Sequence, residues 1–220
     1  MTTKNLLDKV NLFFVSDHGM QSVTKKDIID LSQYVPDVYY DKYEYSPIYH
    51  IYPKENQEEY VYNQLKKAAD AGAHFKVYKK AEIPTRWHYK NNRRTPPILA
   101  VADPPYVFQD FYNTISEQEK KWNFTADDNA QFGVHGYDNN VPNMKPHFIA
   151  LGPLIKKDYK IQPFETVDLY SLWANIAGFP EYALKTNGSF ERVKGILKSP
   201  DVPPARERKS KFFKIFYKFF

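Results

Sequence analysis

Cysteine is missing from all 220 residues of the sequence. Its absence excludes a disulfide framework, thiolate metal ligands and a thiol nucleophile, although a secreted domain of this size can fold without disulfides. Three catalytic signatures are missing too: the G-x-x-x-x-G-K-[ST] phosphate loop, the H-E-x-x-H zinc helix and the G-x-S-x-G nucleophile turn. No apolar run approaches the roughly 20 residues of a membrane span, and the opening MTTKNLLDKV is no signal peptide.

The net charge of +5 comes from one short segment. Residues 206–220 hold six basic side chains and one acidic side chain, so the rest of the sequence carries equal numbers of both signs. Because the body of the protein is neutral, we expect it not to bind a nucleic acid duplex. Hydrophobic residues make up 42% of the sequence and aromatic residues 17%, which is ample material for a buried core.

Short apolar runs alternate with amphipathic segments over residues 1–197. Apolar runs bounded by turn residues predict strands, and apolar residues at helical spacing predict helices. The predicted strands are 11–15, 46–53, 75–78, 97–101 and 147–151, and the predicted helices are 57–71 and 165–176. This alternation favours an α/β domain with a mostly parallel sheet flanked by helices. The prolines between residues 200 and 204 indicate a linker, so we assign residues 198–220 to a linker and tail.

A carboxylate and an imidazole follow the first predicted strand, in Asp17-His18-Gly19. The run at 11–15 is typical of a strand buried on both faces, and ligands bind outside the carboxyl ends of such strands. Gly19 permits a sharp turn there, and both side chains are suitable zinc ligands. The alternative is a turn in which Asp17 caps the next segment and His18 is a surface residue.

A second candidate motif is His135-Gly136-Tyr137-Asp138-Asn139, in a loop just before the strand at 147–151. His135 could bind a metal, with Asp138 or Asn139 holding its imidazole from behind. The alternative is an Asx-type turn with a bystander histidine. The basic stretch 86–94 could bind phosphate, although its composition is equally that of a solvated loop.

Together the two motifs carry a family resemblance. "VNLFFVSDHGM" followed by "HGYDNNVPNMKPHFIALGPLIKK" resembles the nucleotide pyrophosphatase/phosphodiesterase family of the alkaline phosphatase superfamily. The intervening "KVYKKAEIPTRWHYKNNRRTPPILAVAD" and the later "TVDLYSLWANIAGFPEYALKTNGSF" are similar to it as well. The resemblance covers about Asn5 to Leu197 and implies that residues 1–197 are the carboxyl-terminal portion of an alkaline-phosphatase-like domain.

This resemblance implies hydrolysis of a phosphodiester or pyrophosphate bond, with a nucleotide or other small phosphodiester as the substrate. Members of the family use two zinc ions and a threonine nucleophile. By the resemblance, Asp17 and His18 would bind one zinc ion and His135 the other. The family's threonine and further ligands would precede Asn5, so we expect an incomplete fold, exposed edges beside strand 11–15 and a chain that is inactive by itself.

The basic tail and two glycosylation sequons give information about where the protein is located in or outside the cell. Lysines 211, 214 and 218 fall at helical spacing among phenylalanines, which predicts a basic amphipathic helix that could contact a membrane surface through 206–220; a disordered tail is the alternative. Asn123-Phe124-Thr125 and Asn187-Gly188-Ser189 fit the glycosylation sequon. The family resemblance implies an extracellular or membrane-associated protein, with which these sequons agree.

Two other functions stay open at this point. One is a non-catalytic binding or interaction protein, which stable, soluble folding of the chain would favour. The other is a different alkaline-phosphatase-like hydrolase, such as a sulfatase or phosphomutase, against which the neighbours of His135 argue.

Overall fold

The computed structural model describes residues 6, 8–179 and 185–199. Within them, the strands are β1 (Leu12–Val15), β2 (Gln21–Val23), β3 (Ile28–Ile29), β4 (Tyr40–Tyr45), β5 (Ile48–Pro53), β6 (Phe75–Lys79), β7 (Ile98–Ala102), β8 (Val107–Phe108), β9 (Phe132–Val134) and β10 (Phe148–Leu151). The α-helices are α1 (Glu58–Asp70), α2 (Phe111–Trp122), α3 (Asp168–Ala177) and α4 (Phe190–Val193). Short 3-10 turns lie at Lys25–Asp27, Leu31–Gln33, Asp37–Tyr39, Lys80–Glu82, Thr85–Trp87, Pro142–Met144 and Lys194–Ile196.

The chain divides into two compact units. The continuous unit is His18–Pro146, and the discontinuous unit combines Met1–Asp17 with His147–Phe220. The continuous unit holds strands β2 to β9 with helices α1 and α2, and the discontinuous unit holds β1, β10, α3 and α4.

A four-stranded antiparallel sheet, ordered β4-β5-β7-β6, forms the centre of the continuous unit. Its inner face contributes Tyr49 and Ile98 to a core that also contains Val61 and Leu65 of α1. Its other face carries a smaller apolar cluster that includes Leu99. Because both faces are covered, all five residues of β7 are buried, and this explains why its sequence is an unbroken apolar run.

Helix α1 follows the amphipathic pattern that the sequence predicts. Val61, Leu65 and Ala68 form its buried stripe, spaced three and four residues apart. Two glutamates in its first turn complement the positive end of the helix dipole. The helix ends before Gly72, whose φ of +91° suits a left-handed helix terminus.

In the discontinuous unit, β1 and β10 pair in antiparallel register. One face of this pair packs Phe13 and Phe148 against a core formed with α3 and α4. On the other face, the register partners Phe14 and Ile149 are 57% and 60% exposed. The expectation that strand 11–15 is buried on both faces is therefore wrong for this structure.

The predicted α/β class is confirmed, but the strand directions need a correction. Among the described strands, only β3 and β8 pair in parallel, whereas every other ladder is antiparallel. An apolar run indicates a strand without fixing the direction of its neighbour. The short turn between β4 and β5 then forces an antiparallel pair, because parallel strands need a crossover of a dozen or more residues.

Two expectations concern contact with a membrane. The predicted basic helix at 206–220 lies outside the described residues. Along the part of the chain that the structure does describe, no helix is long and apolar enough to cross a membrane.

Candidate metal centre

His18 and His135, which are 117 positions apart in the sequence, meet in the continuous unit. Their rings are stacked, with 3.6 Å between centroids and 14° between planes. His135 is exposed and His18 is half-buried. Two imidazole rings thus lie side by side at the surface of this unit.

A short ladder brings the two histidines together. Strands β2 and β9 pair in antiparallel register, with Gln21 opposite Val134. His135 immediately follows β9, and His18 lies three residues before Gln21, so both leave the ladder at the same end. Antiparallel pairing therefore converts a large sequence separation into direct contact.

Gly19 keeps His18 in place through a close backbone approach. Its N–H donates to the Met144 carbonyl at 2.9 Å. A Cβ atom at this position would lie 1.9 Å from the carbonyl oxygen of Asn143, so only glycine fits without displacing that segment. The glycine is needed for this approach rather than for the sharp turn that the sequence suggested.

The His18 ring is oriented by its own backbone neighbourhood. Its Nδ1 lies 2.7 Å from the Gly19 carbonyl oxygen, which can only accept a hydrogen bond. In the neutral ring Nδ1 therefore carries the proton, and the lone pair is on Nε2. A backbone carbonyl behind one ring nitrogen is the arrangement that metal-binding histidines commonly have.

Asp17 belongs to the other unit, where it is an exposed residue two positions after β1. Among residues 6, 8–179 and 185–199, no group of three or more His, Cys, Asp or Glu side chains is arranged to hold a metal ion. The described residues thus provide a pair of imidazoles, which is fewer than the four ligands of a structural zinc site.

The loop after His135 is fixed by an arginine. Arg86 donates to both carboxylate oxygens of Asp138, at 2.7 Å from Nη1 to Oδ1, and to the side-chain oxygen of Asn139 at 2.5 Å. The Arg86 hydrogen bonds lower the pKa of the Asp138 carboxyl group. Asp138 also accepts from the Asn140 N–H at 2.8 Å, which closes an Asx turn. Asp138 and Asn139 therefore act on the loop's backbone and on Arg86.

Tyr137 anchors the same loop from inside. It is 5% exposed, and its hydroxyl donates to the Tyr106 carbonyl at 2.8 Å. Burial raises the pKa of this phenol, which keeps it a neutral donor. From the sequence, Tyr137 was only a member of the second motif and Arg86 only the first residue of the basic stretch 86–94, and neither had a predicted role in holding the loop. An aromatic residue within a polar loop was the available signal for Tyr137, whereas Arg86 stood in a stretch that also suited a solvated loop.

Both candidate glycosylation asparagines are exposed. Asn123 follows the last residue of α2 with a φ of 50°, and Asn187 precedes α4 in the discontinuous unit. Exposure is a precondition for modification of a sequon.

Comparison with known families and proteins gives consistent results. The model of the family described as "Type I phosphodiesterase / nucleotide pyrophosphatase" matches residues 1–138. Human ectonucleotide pyrophosphatase/phosphodiesterase family member 5 is 35% identical over 203 residues, which are 90% of this chain. Human bis(5'-adenosyl)-triphosphatase is 34% identical over 193 residues, which are 87% of this chain. The chain spans 38% of the length of each of these two relatives.

Solved structures agree with the sequence relatives. Murine ectonucleotide pyrophosphatase/phosphodiesterase 5 superposes with a TM-score of 0.72 and 37% identity, covering 89% of this chain and 48% of that one. An inactive variant of the same murine protein, solved in complex with AMP, superposes with a TM-score of 0.71 and 36% identity, covering 89% of this chain and 47% of the other.

Proposed function

Because this chain belongs to the type I phosphodiesterase / nucleotide pyrophosphatase family, we propose that it supplies part of a zinc-dependent site that hydrolyses phosphodiester or pyrophosphate bonds. The observation that carries this proposal is the stacked pair His18 and His135, which come from the two motifs that resemble the family. The family assignment also sets aside the sulfatase or phosphomutase alternative.

The proposed ligands are those implied by the family resemblance. Asp17 and His18 bind one zinc ion and His135 binds the other. A pair of zinc ions, when bound, lowers the pKa of an attacking oxygen and neutralises charge on the attacking and leaving oxygens. The described residues fit this role in their chemistry, since imidazole nitrogen is a preferred zinc ligand and the Gly19 carbonyl lies behind the His18 ring.

Asp138 and Asn139 have a positioning role in this proposal. Together with Arg86 they fix the loop that leaves β9, and His135 lies at the start of that loop. Tyr137 holds the same loop to the core of the unit. A loop held at two points keeps the His135 nitrogen in place without a direct contact from the Asp138 carboxylate.

A nucleotide is the substrate class that the relatives support. One relative is named for the hydrolysis of bis(5'-adenosyl) triphosphate, and the murine structure contains AMP. We propose that the whole protein acts on a nucleotide or dinucleotide of this kind. We also propose that a chain of only these 220 residues is inactive, because its described residues contain no complete metal-ligand group.

A chimeric enzyme tests the proposed ligands directly. Residues 6–197 of this chain replace the matching region of human bis(5'-adenosyl)-triphosphatase, and hydrolysis of bis(5'-adenosyl) triphosphate is measured with and without added zinc. We expect zinc-dependent activity that falls at least about a hundredfold in His18→Ala or His135→Ala, since each loses a metal ligand. His88→Ala is the matched control, because His88 is exposed in a different loop.

Equal activity of the folded chimera and of its His135→Ala variant would contradict the proposal. Circular dichroism separates misfolding from lost chemistry. If the large exchange does not fold, exchanging residues 132–151 alone still tests His135.

The last part of the proposal concerns the location of the protein and its glycosylation. We propose an extracellular or membrane-associated protein that carries N-linked glycans on Asn123 and Asn187. A mobility shift after peptide-N-glycosidase treatment of chain expressed in secretory cells tests this, with Asn123→Gln and Asn187→Gln as controls. Equal mobility before and after treatment would remove this part of the proposal.

A further inference from the structure

A cavity of about 430 Å³ lies in the continuous unit, on the face of the four-stranded sheet opposite its main core. Its floor is formed by Ile48, Leu99 and Val101, which are brought together by the register of β5 and β7, where Ile48 pairs with Val101 and His50 with Leu99. The volume is within the range of about 300–1,000 Å³ that small-molecule pockets occupy.

Aromatic side chains form one wall of this cavity. Trp87 is the last residue of the 3-10 turn Thr85–Trp87, Tyr89 lies two residues after it, and residues 136–139 form the opposite rim. Tyr89 and His50 lie within hydrogen-bond distance, with 3.1 Å between the hydroxyl and Nε2. Burial lowers the pKa of His50, so its ring adds a neutral, flat surface. The lining is therefore largely apolar and aromatic, and it carries little charge.

The aromatic wall contains one buried hydrogen-bond donor whose hydrogen-bonding capacity is not used. The indole Nε1 of Trp87 is buried and makes no hydrogen bond. The Trp87 side chain acts as a donor that helps lower the pKa of the nearby Asp138 carboxyl group, but its Nε1 does not reach hydrogen-bond geometry with that carboxylate, which is held by Arg86. A buried donor without a partner is uncommon in a folded protein and has a free-energy cost that an incoming acceptor would remove.

We propose that this cavity is a binding site for a small, planar, uncharged ring compound that carries a hydrogen-bond acceptor. Its ring would lie between the aliphatic floor and the aromatic wall, where flat apolar contacts are favourable. Its acceptor would take the Trp87 N–H. The site uses neither His18 nor His135 and does not depend on the proposed hydrolase activity.

The three tryptophans of this chain allow a direct test. Coumarin, a planar bicyclic lactone with a carbonyl acceptor, is titrated into the ¹⁵N-labelled 220-residue chain, and the three indole N–H signals are followed by NMR. Each signal is assigned with its Trp→Phe variant. We expect the Trp87 signal to shift saturably while those of Trp122 and Trp173, which are 66% and 42% exposed, stay unchanged.

Two variants check the geometry of the site. Trp87→Phe keeps an aromatic wall but removes the donor, and we expect binding about threefold to tenfold weaker, which is the net effect of one hydrogen bond. Leu99→Phe adds volume to the floor, and we expect it to abolish saturable binding. Leu99→Met is its matched control, because it nearly conserves the volume.

Three results would overturn the proposal. The Trp87 signal could stay unchanged up to the solubility limit of coumarin. All three signals could shift in parallel, as they would for non-specific adsorption. The affinity could be the same in Trp87→Phe and in the original chain. If Leu99→Phe does not fold, as the Trp122 and Trp173 signals would reveal, the Trp87→Phe comparison decides the question.

Discussion

The imidazoles of His18 and His135 stack at the surface of the continuous unit, and their contact depends on a residue that has no side chain. Gly19 allows the segment around Asn143 to approach the backbone next to His18. The stacking distance of 3.6 Å between the two rings therefore depends on the packing of two backbone segments as much as on the histidines themselves.

Gly19→Ala tests this dependence. The added Cβ would lie 1.9 Å from the Asn143 oxygen, so backbone must move, and we expect the free energy of unfolding to fall by about 1–3 kcal/mol. Urea unfolding measures the difference. Gly133→Ala is the control, since the nearest atoms that its Cβ would meet all belong to the flexible Met20 side chain, whereas the Cβ of Gly19→Ala would meet backbone. Equal unfolding midpoints for Gly19→Ala and the original chain would contradict the account.

Only some of the residues at the candidate site could be predicted from the sequence. His18 was selected because it follows an apolar run and precedes a glycine, and His135 because it opens a loop rich in glycine, asparagine and aspartate just before a predicted strand. Arg86 could not be selected, because a basic residue among other basic residues has the same local pattern whether it is solvated or bonded to Asp138. The partner of a long charged side chain is decided by tertiary structure, which local sequence does not specify.

At the scale of elements, the ladder between β2 and β9 matters most for the site, yet neither strand was predicted. Each has three residues, too few for an alternating pattern to be recognised. The longer elements were placed well: the predicted helix 57–71 is observed as Glu58–Asp70, and the predicted strand 97–101 as Ile98–Ala102. Periodicity identifies long elements and fails for short ones.

Helices α3 and α4 are joined by one buried carboxylate. The side chain of Asp168 is fully buried and accepts hydrogen bonds from the Ser189 N–H at 2.7 Å, the Glu165 N–H at 3.0 Å and the Arg192 Nε at 2.8 Å. The sequence predicted α3 but not this network, since nothing local links residues 168 and 192.

Asp168→Ala should therefore destabilise the discontinuous unit. The variant removes the acceptor of two backbone N–H groups and of Arg192, so we expect a loss of about 2–3 kcal/mol in the free energy of unfolding at pH 7. Glu165→Ala is the matched control, because its side chain is exposed and its backbone N–H still reaches Asp168. A loss no larger than that of the control would contradict this role.

The same network predicts a pH dependence. Hydrogen bonds from Arg192 lower the pKa of Asp168, whereas an unfolded aspartate has a pKa of about 3.9. A carboxyl group with a lowered folded pKa stabilises the protein above its unfolded pKa, and that stabilisation is lost as the pH falls through the folded pKa. The difference between the original chain and Asp168→Ala should be largest near neutral pH and should shrink below about pH 4. A pH-independent difference in unfolding midpoints would exclude this explanation.

At the scale of the whole molecule, composition and motif order were sufficient to predict the α/β class and the family. They were not sufficient for strand direction, which depends on which segments become neighbours. The exposed face of β1 and β10, with Phe14 and Ile149, is a property of the two-stranded pair that the local sequence could not reveal. The four-stranded sheet of the continuous unit, by contrast, is covered on both faces and forms the main core.

The central claim is that His18 and His135 are both zinc ligands, and zinc titration of the 220-residue chain by isothermal calorimetry tests it most directly. We expect weak binding, because few ligands are present, that falls at least about tenfold in either His18→Ala or His135→Ala and is unchanged in His88→Ala. Equal zinc affinity of the original chain and of the variant that combines His18→Ala with His135→Ala would show that the stacked histidines are not a metal site. A larger loss of affinity in His88→Ala than in either of those single variants would lead to the same conclusion.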